Sequence, residues 1–118
     1  MKNPERGDIY IVDLFPRSGS EQSGERPFLI LSRNSFTSEH SWQTITGIPI
    51  SSSQVEKKKG RISILLLKGE GGLTKDSVGL CHQITTIDKG KLITHLGAIS
   101  GDRLKVIEEG VKLYLEIE

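Results

Sequence analysis

Gly19-Ser20-Glu21-Gln22-Ser23-Gly24-Glu25-Arg26-Pro27-Phe28-Leu29-Ile30-Leu31 sets a polar, glycine-bounded loop directly against an apolar strand. The first half is too polar to be core. The second half is a run of branched and aromatic side chains of strand composition. Upstream, Gly7-Asp8 opens a matching apolar run, Ile9-Tyr10-Ile11-Val12-Asp13-Leu14, which Pro16 ends. Two strands around one long polar loop begin a β domain. They also place Arg26 between a glycine-rich loop and a proline, at the mouth of a strand. That position suits the holding of an anion, because binding and catalysis concentrate on loops carried by rigid elements.

The pattern of short strands continues outward from this pair. Arg33-Asn34-Ser35 reads as a turn, and residues 36–41 as a loop or a short helix. Residues 42–50 are strand-like, and Ser51-Ser52-Ser53 breaks that strand. Glu56-Lys57-Lys58-Lys59-Gly60 is a charged turn, residues 62–67 a strand, and Gly69-Glu70-Gly71-Gly72 a flexible connection. Residues 77–84 and 91–99 read as the last two strands. Then the period lengthens: Leu104, Ile107, Val111 and Tyr114 or Leu115 fall on one helical face. Ser100 stands where an N-cap belongs, and Asp102 lies in the first turn, where negative charge suits the helix dipole. Six or so short strands closed by one amphipathic helix predict a mainly β fold with a C-terminal helix, a small curled antiparallel sheet or barrel. No internal repeat or linker divides residues 1–118, so a single domain is expected.

Composition limits the function. The 118 residues are near the modal domain size, and 35% hydrophobic content is enough for one modest core. With 16 basic and 15 acidic residues the net charge is +1, so any basic site must be local. The one cysteine, Cys81, excludes an intrachain disulfide and suits a reducing compartment. Met1-Lys2-Asn3-Pro4-Glu5-Arg6 is followed by no signal-peptide h-region, and no apolar run is long enough to span a membrane. A cytoplasmic protein without a membrane partner is the expectation.

Three segments together resemble a known family. They are Arg6-Gly7-Asp8-Ile9-Tyr10, the loop from Gly19 to Pro27, and Asp76-Ser77-Val78 with Gln83-Ile84-Thr85-Thr86-Ile87-Asp88. They look like the MazF/PemK (Kid) toxins, the toxin halves of bacterial type II toxin–antitoxin pairs. The resemblance runs from about Arg6 into the C-terminal helix. Its specific part is the loop followed by Arg-Pro and an apolar strand, where order, spacing and context agree; a lone Gly-Ser-Glu-Gln would be weak. The resemblance implies an SH3-like barrel, a homodimer, and a sequence-selective endoribonuclease that cuts single-stranded RNA with neither metal nor other cofactor. It further implies inhibition by a cognate antitoxin.

Metal-free RNA cleavage uses the ribose 2′-hydroxyl as nucleophile and leaves a 2′,3′-cyclic phosphate and a 5′-hydroxyl. It needs a base, a proton donor and positive charge for the phosphoryl oxygens. Arg26 matches the family's functional arginine, and its planar fork suits phosphate. The competing reading is a surface arginine paired with Glu21 or Glu25. Ser51, after Ile48-Pro49-Ile50, aligns with the family's hydroxyl residue, usually threonine. It also reads as a plain turn serine, and Ser52 could serve in its place. His82 is a departure, since the family usually carries Asp or Glu there. Histidine changes charge nearest neutral pH, which fits a base or an acid. Strand parity with Val78 and Leu80 gives the rival reading, a buried, hydrogen-bonded histidine.

The same resemblance makes Phe15, Ser20, Glu21, Gln22, Ser52 and Gln83 candidate RNA contacts. Glu21 is expected to orient Arg26, and Gln22 and Gln83 to meet base edges or phosphate. Phe15, Phe36 and Trp42 are the candidate stacking aromatics, with Phe15 beside Pro16 the better platform and Trp42 assigned to the core. Lys57-Lys58-Lys59 with Arg61 is the sole basic run, either a phosphate contact or an exposed turn. On a continuous strand, Cys81 and His82 would face opposite ways. His40 and His95 show no metal-ligand spacing, no nucleophile elbow occurs, and Gly69 to Gly72 lacks the Lys-Ser/Thr of a phosphate loop. Two rivals stay open: a non-catalytic toxin of the same fold, as in gyrase-poisoning CcdB-type proteins, and a degenerate member that only binds its antitoxin. Arg26 and Ser51 favour the enzyme, and the histidine at 82 leaves room for the others.

Overall fold

The computed structural model describes residues 3–15, 18–53, 55 and 60–118. Pro16 and the run Lys57-Lys58-Lys59 lie outside them. The described elements are β1 (Asp8–Asp13), β2 (Glu25–Ile30), α1 (Asn34–Thr37), β3 (Thr44–Ser51), β4 (Ser63–Leu66), β5 (Ser77–Leu80), β6 (Thr85–Asp88), β7 (Leu92–Ala98) and α2 (Gly101–Leu115). The described strands form one antiparallel sheet in the order β4-β5-β3-β2-β1-β7, with β6 also paired to β3. The mainly β architecture with a closing helix is therefore as expected.

Strands 1 to 3 bury both faces, which is why β2 reads as a continuous apolar run. Ile9, Leu29, Ile48 and Ile50 join Ile64, Leu66, Leu73, Cys81 and Ile107 in one cluster, under α2. Their strand neighbours Val12, Phe28, Ile30 and Ile45 point the other way, into a second cluster with Leu14 and Ile87. Alternate residues thus feed two cores, as the period of a strand dictates.

The expected strand over residues 77–84 is interrupted. Ile50 pairs with Gly79, and Gly47 pairs with Thr85. Over that interval β3 advances three residues while its partner advances six. The surplus is thrown out as a 3-10 turn, Cys81–Gln83, in the manner of a large bulge. Pro49, which has no N–H for a ladder, lies opposite this break, where β3 passes from one neighbour to the other. The parity argument for His82 therefore does not apply, because the residue is not on a strand.

Two further expectations are corrected. Gly69-Glu70-Gly71-Gly72 is not a free connection but a packed turn. A Cβ on Gly72 would stand 2.2 Å from the Leu96 carbonyl oxygen, and Glu70 pairs with Arg103 at 2.8 Å. Trp42 is not core. It precedes β3, is 43% exposed, and stacks on the exposed Phe36 with ring centroids 5.5 Å apart. The helix starts as read, with the Arg103 N–H donating to Ser100 Oγ at 3.1 Å. Ile107 is fully buried and Val111 packs on the core, but Tyr114 and Leu115 are exposed, so the buried stripe ends before the helix does.

Candidate active site

The β2–β3 register pairs Phe28 with Pro49. The pairing ends there, two residues short of Arg26 on β2 and of Ser51 on β3. Arg26 shares a strand face with the buried Phe28 and Ile30, so its stem starts on an apolar surface and its guanidinium is partly desolvated. That burial lowers its pKa from the ordinary value; the group still stays protonated at any ordinary pH.

Neutral oxygens hold this guanidinium. Nε donates to the Ser23 carbonyl at 2.9 Å, and Nη1 donates to Gln22 Oε1. None of the ion pairs among the described residues involves Arg26. The pairing with Glu21 or Glu25 that would make it a plain surface arginine is therefore missing from those pairs. The expected orienting role of Glu21 is filled by Gln22, while Glu21 accepts from Ser18 Oγ at 3.3 Å.

The loop that carries Gln22 is itself tied down. The Gln22 N–H donates to Gln83 Oε1 at 2.8 Å, and Gln83 Nε2 donates to the Ser20 carbonyl at 3.1 Å. Gln83 closes the 3-10 turn that also presents His82. One side of His82 lies edge-on to the Tyr114 ring, with centroids 6.1 Å apart. Its Nδ1 is buried and has no hydrogen-bond partner among the described residues. His82, Gln83, Ile84 and Thr85 form one wall of an open groove, with Ser18, Ser20 and Glu21 on the other. Arg26 and Ser51 are not in its walls.

Ser51 is 3% exposed, and its hydroxyl sits 3.1 Å from that of Ser53. Ser52 is exposed. Phe15 is 59% exposed, and its ring lies against Gly24, where a Cβ would stand 3.4 Å away. Among the described residues no hydrogen bond joins Arg26, Ser51 and His82 to one another. What sequence reading missed is the set of ties among them: Gln83 to the loop, Gln22 to Arg26, and Tyr114 against His82. Gln83 lies 61 and 63 residues from the two loop groups it holds, and Tyr114 lies far from His82 in the chain, so no local pattern marks those ties; Gln22 and Arg26 are four residues apart, within the one polar loop and strand mouth. Among the described residues, no group of three or more His, Cys, Asp or Glu is placed to hold a metal ion, and no helix is long and apolar enough to cross a membrane.

The chain is similar to known proteins in sequence and in fold. A family described as PemK-like, MazF-like toxin of type II toxin–antitoxin systems matches residues 5–115. An endoribonuclease MazF of Staphylococcus saprophyticus is 34% identical over 110 residues, covering 93% of this chain and 89% of that protein. The crystal structure of MazF from Deinococcus radiodurans is similar in fold, with a TM-score of 0.82, 20% identity, and coverage of 99% of this chain and 100% of that one. An endoribonuclease from a mycobacterial species, solved with its cognate antitoxin, superposes with a TM-score of 0.77 and 20% identity over 98% of this chain and 97% of that one.

Proposed function

The chain belongs to the PemK-like, MazF-like toxin family of type II toxin–antitoxin systems, and from that premise we propose that it is an endoribonuclease that cleaves single-stranded RNA in the cytoplasm. The reaction is attack of the 2′-hydroxyl on the adjacent phosphorus, leaving a 2′,3′-cyclic phosphate and a 5′-hydroxyl. One observation carries this reading. The Arg26 guanidinium is partly desolvated, held by two neutral oxygens, and free of any carboxylate in the described ion pairs. A cation desolvated without a counter-charge is a site for an anion, and the anion here is the scissile phosphate. Two of its five N–H donors are used in orientation, and the rest serve the phosphoryl oxygens as charge builds up.

His82, which lines the groove and whose buried Nδ1 has no hydrogen-bond partner among the described residues, transfers the proton. Ser51, the last residue of β3, or Ser52 after it supplies a hydroxyl donor to the phosphate. Phe15, Ser20, Glu21, Gln22 and Gln83 border the RNA path. The cognate antitoxin inhibits by laying an acidic segment over Arg26. A homodimer covers the apolar Leu113, Tyr114 and Leu115, which are exposed on α2.

The test is incubation of the purified chain with a long RNA in EDTA. Discrete fragments carrying 2′,3′-cyclic phosphate ends are expected from the wild type, and from Arg26→Ala the same fragments at a rate lower by about 100-fold or more. Equal cleavage by both proteins, or fragments that vanish with EDTA, would overturn the reading. For His82, the pH–rate profile of His82→Ala is compared with wild type; full activity with the same profile removes its role.

A further inference from the structure

We propose that Gln83 is a positioning residue: its carboxamide sets the Arg26 guanidinium by holding the backbone of the loop that orients it. This rests on the ribonuclease reading above. The geometry is a relay of hydrogen bonds. Gln83 Oε1 accepts from Gln22 N–H and Gln83 Nε2 donates to Ser20 O, at 2.8 and 3.1 Å. Gln22 Oε1 then accepts from Arg26 Nη1, and Ser23 O accepts from Arg26 Nε.

The chemistry of a primary carboxamide explains why glutamine stands at 83. It offers an acceptor and a donor side by side, as the edge of a strand does, and so pairs with an N–H and a C=O two residues apart. Its orientation is not free, because the flipped amide would set oxygen against oxygen and donor against donor. The loop needs such a hold. Its ends are Gly19 and Gly24, both at positive φ (61° and 83°), and Ser20 is exposed. The turn that presents Gln83 is by contrast anchored, with its first residue, Cys81, fully buried under α2. Gln83 thus transfers the rigidity of the core to a polar loop, and through Gln22 to the charged group. A direct base contact, the role expected from sequence, asks the same amide to serve RNA while one donor and one acceptor position are already engaged.

The experiment is a double-mutant cycle on a short single-stranded RNA with one cleavable site. Gln83→Ala is expected to lower kcat by about tenfold or more, with KM changed less than about threefold, since a misaligned Arg26 loses transition-state contact. In an Arg26→Ala background, Gln83→Ala is expected to cost nothing further. Additive effects would mean that Gln83 acts on RNA directly, and an unchanged kcat would mean that it acts on nothing; either result overturns the proposal. Gln83→Glu supplies a rescue. Its protonated carboxyl has one acceptor and one O–H donor, so its rate relative to wild type is expected to rise as pH falls from 8 to 5, whereas that of Gln83→Ala is not. A flat ratio counts against the relay. Hydrogen exchange of the free protein reads the same idea without RNA. The Gln22 amide is expected to exchange at least about tenfold faster in Gln83→Ala, with β1 and β2 unchanged. If the wild type cleaves no RNA, the ribonuclease reading fails while this measurement still decides whether Gln83 holds the loop; unchanged Gln22 exchange overturns the tie itself.

Discussion

Cys81 and Gln83 stand two residues apart in one turn and face opposite halves of the molecule. On the Cys81 side the side chains are apolar and closely packed. Its Sγ lies 3.7 Å from the Ile107 carbonyl oxygen, and a Cβ on Gly110 would stand 2.7 Å from it. On the Gln83 side the contacts are hydrogen bonds to a loop whose residues are exposed or half-buried. The difference teaches that packing under α2 and chemistry around Arg26 meet at a single bulge. The closely packed side gives the turn its rigidity, and the polar side uses it.

That contrast can be broken by mutation. The largest expected effect is on the packed side: Ile107→Ala should cost about 2–5 kcal/mol of stability by opening a cavity in the core. Urea unfolding measures it, and cleavage per folded molecule should stay near wild type. A loss of both together would show that the two halves are not separable. Next comes Arg26→Ala, expected to lower kcat/KM by about 100-fold or more while changing stability by less than about 1 kcal/mol. Unfolding and cleavage assays on the same preparation give both numbers.

Gly110→Ala sharpens the comparison, because two effects of known size oppose. Helix propensity favours alanine by about 1 kcal/mol. The new Cβ, however, meets Cys81 Sγ at 2.7 Å and the Arg61 carbonyl oxygen at 3.0 Å, and overpacking of this kind costs about 1–3 kcal/mol. The backbone oxygen cannot swing away, so a net loss of stability is expected by urea unfolding; a gain would mean that the helix seam is looser than drawn.

The effect confined to the narrowest conditions is the alkaline pH dependence from Cys81. Burial raises its thiol pKa from 9.0 to about 11. Between those values the unfolded chain releases the proton and the folded chain keeps it, so this contribution is complete below pH 9 and is lost as pH rises towards 11. Melting temperatures across that window should fall more steeply for wild type than for Cys81→Ala. Equal slopes would place the thiol in contact with water and weaken the picture of a sealed seam.

Much of this protein was determined by short-range pattern. Alternation and composition marked β1, β2 and β3, the glycine-bounded loop between the first two, and the position of Arg26 at a strand mouth. The 3.6-residue period and the Ser100 cap marked α2. These features are legible because each depends on residues a few places apart, whose spacing the backbone geometry converts directly into a face. What only the tertiary structure decided depends on distant pairings. The surplus at 81–83 exists because β5 and β6 both align with β3 out of step. Trp42 is exposed because β3 begins after it. The loop that carries Gln22 is held by a glutamine 61 residues away. No local pattern carries such contacts, because the side chains that make them are neighbours only after the sheet has closed.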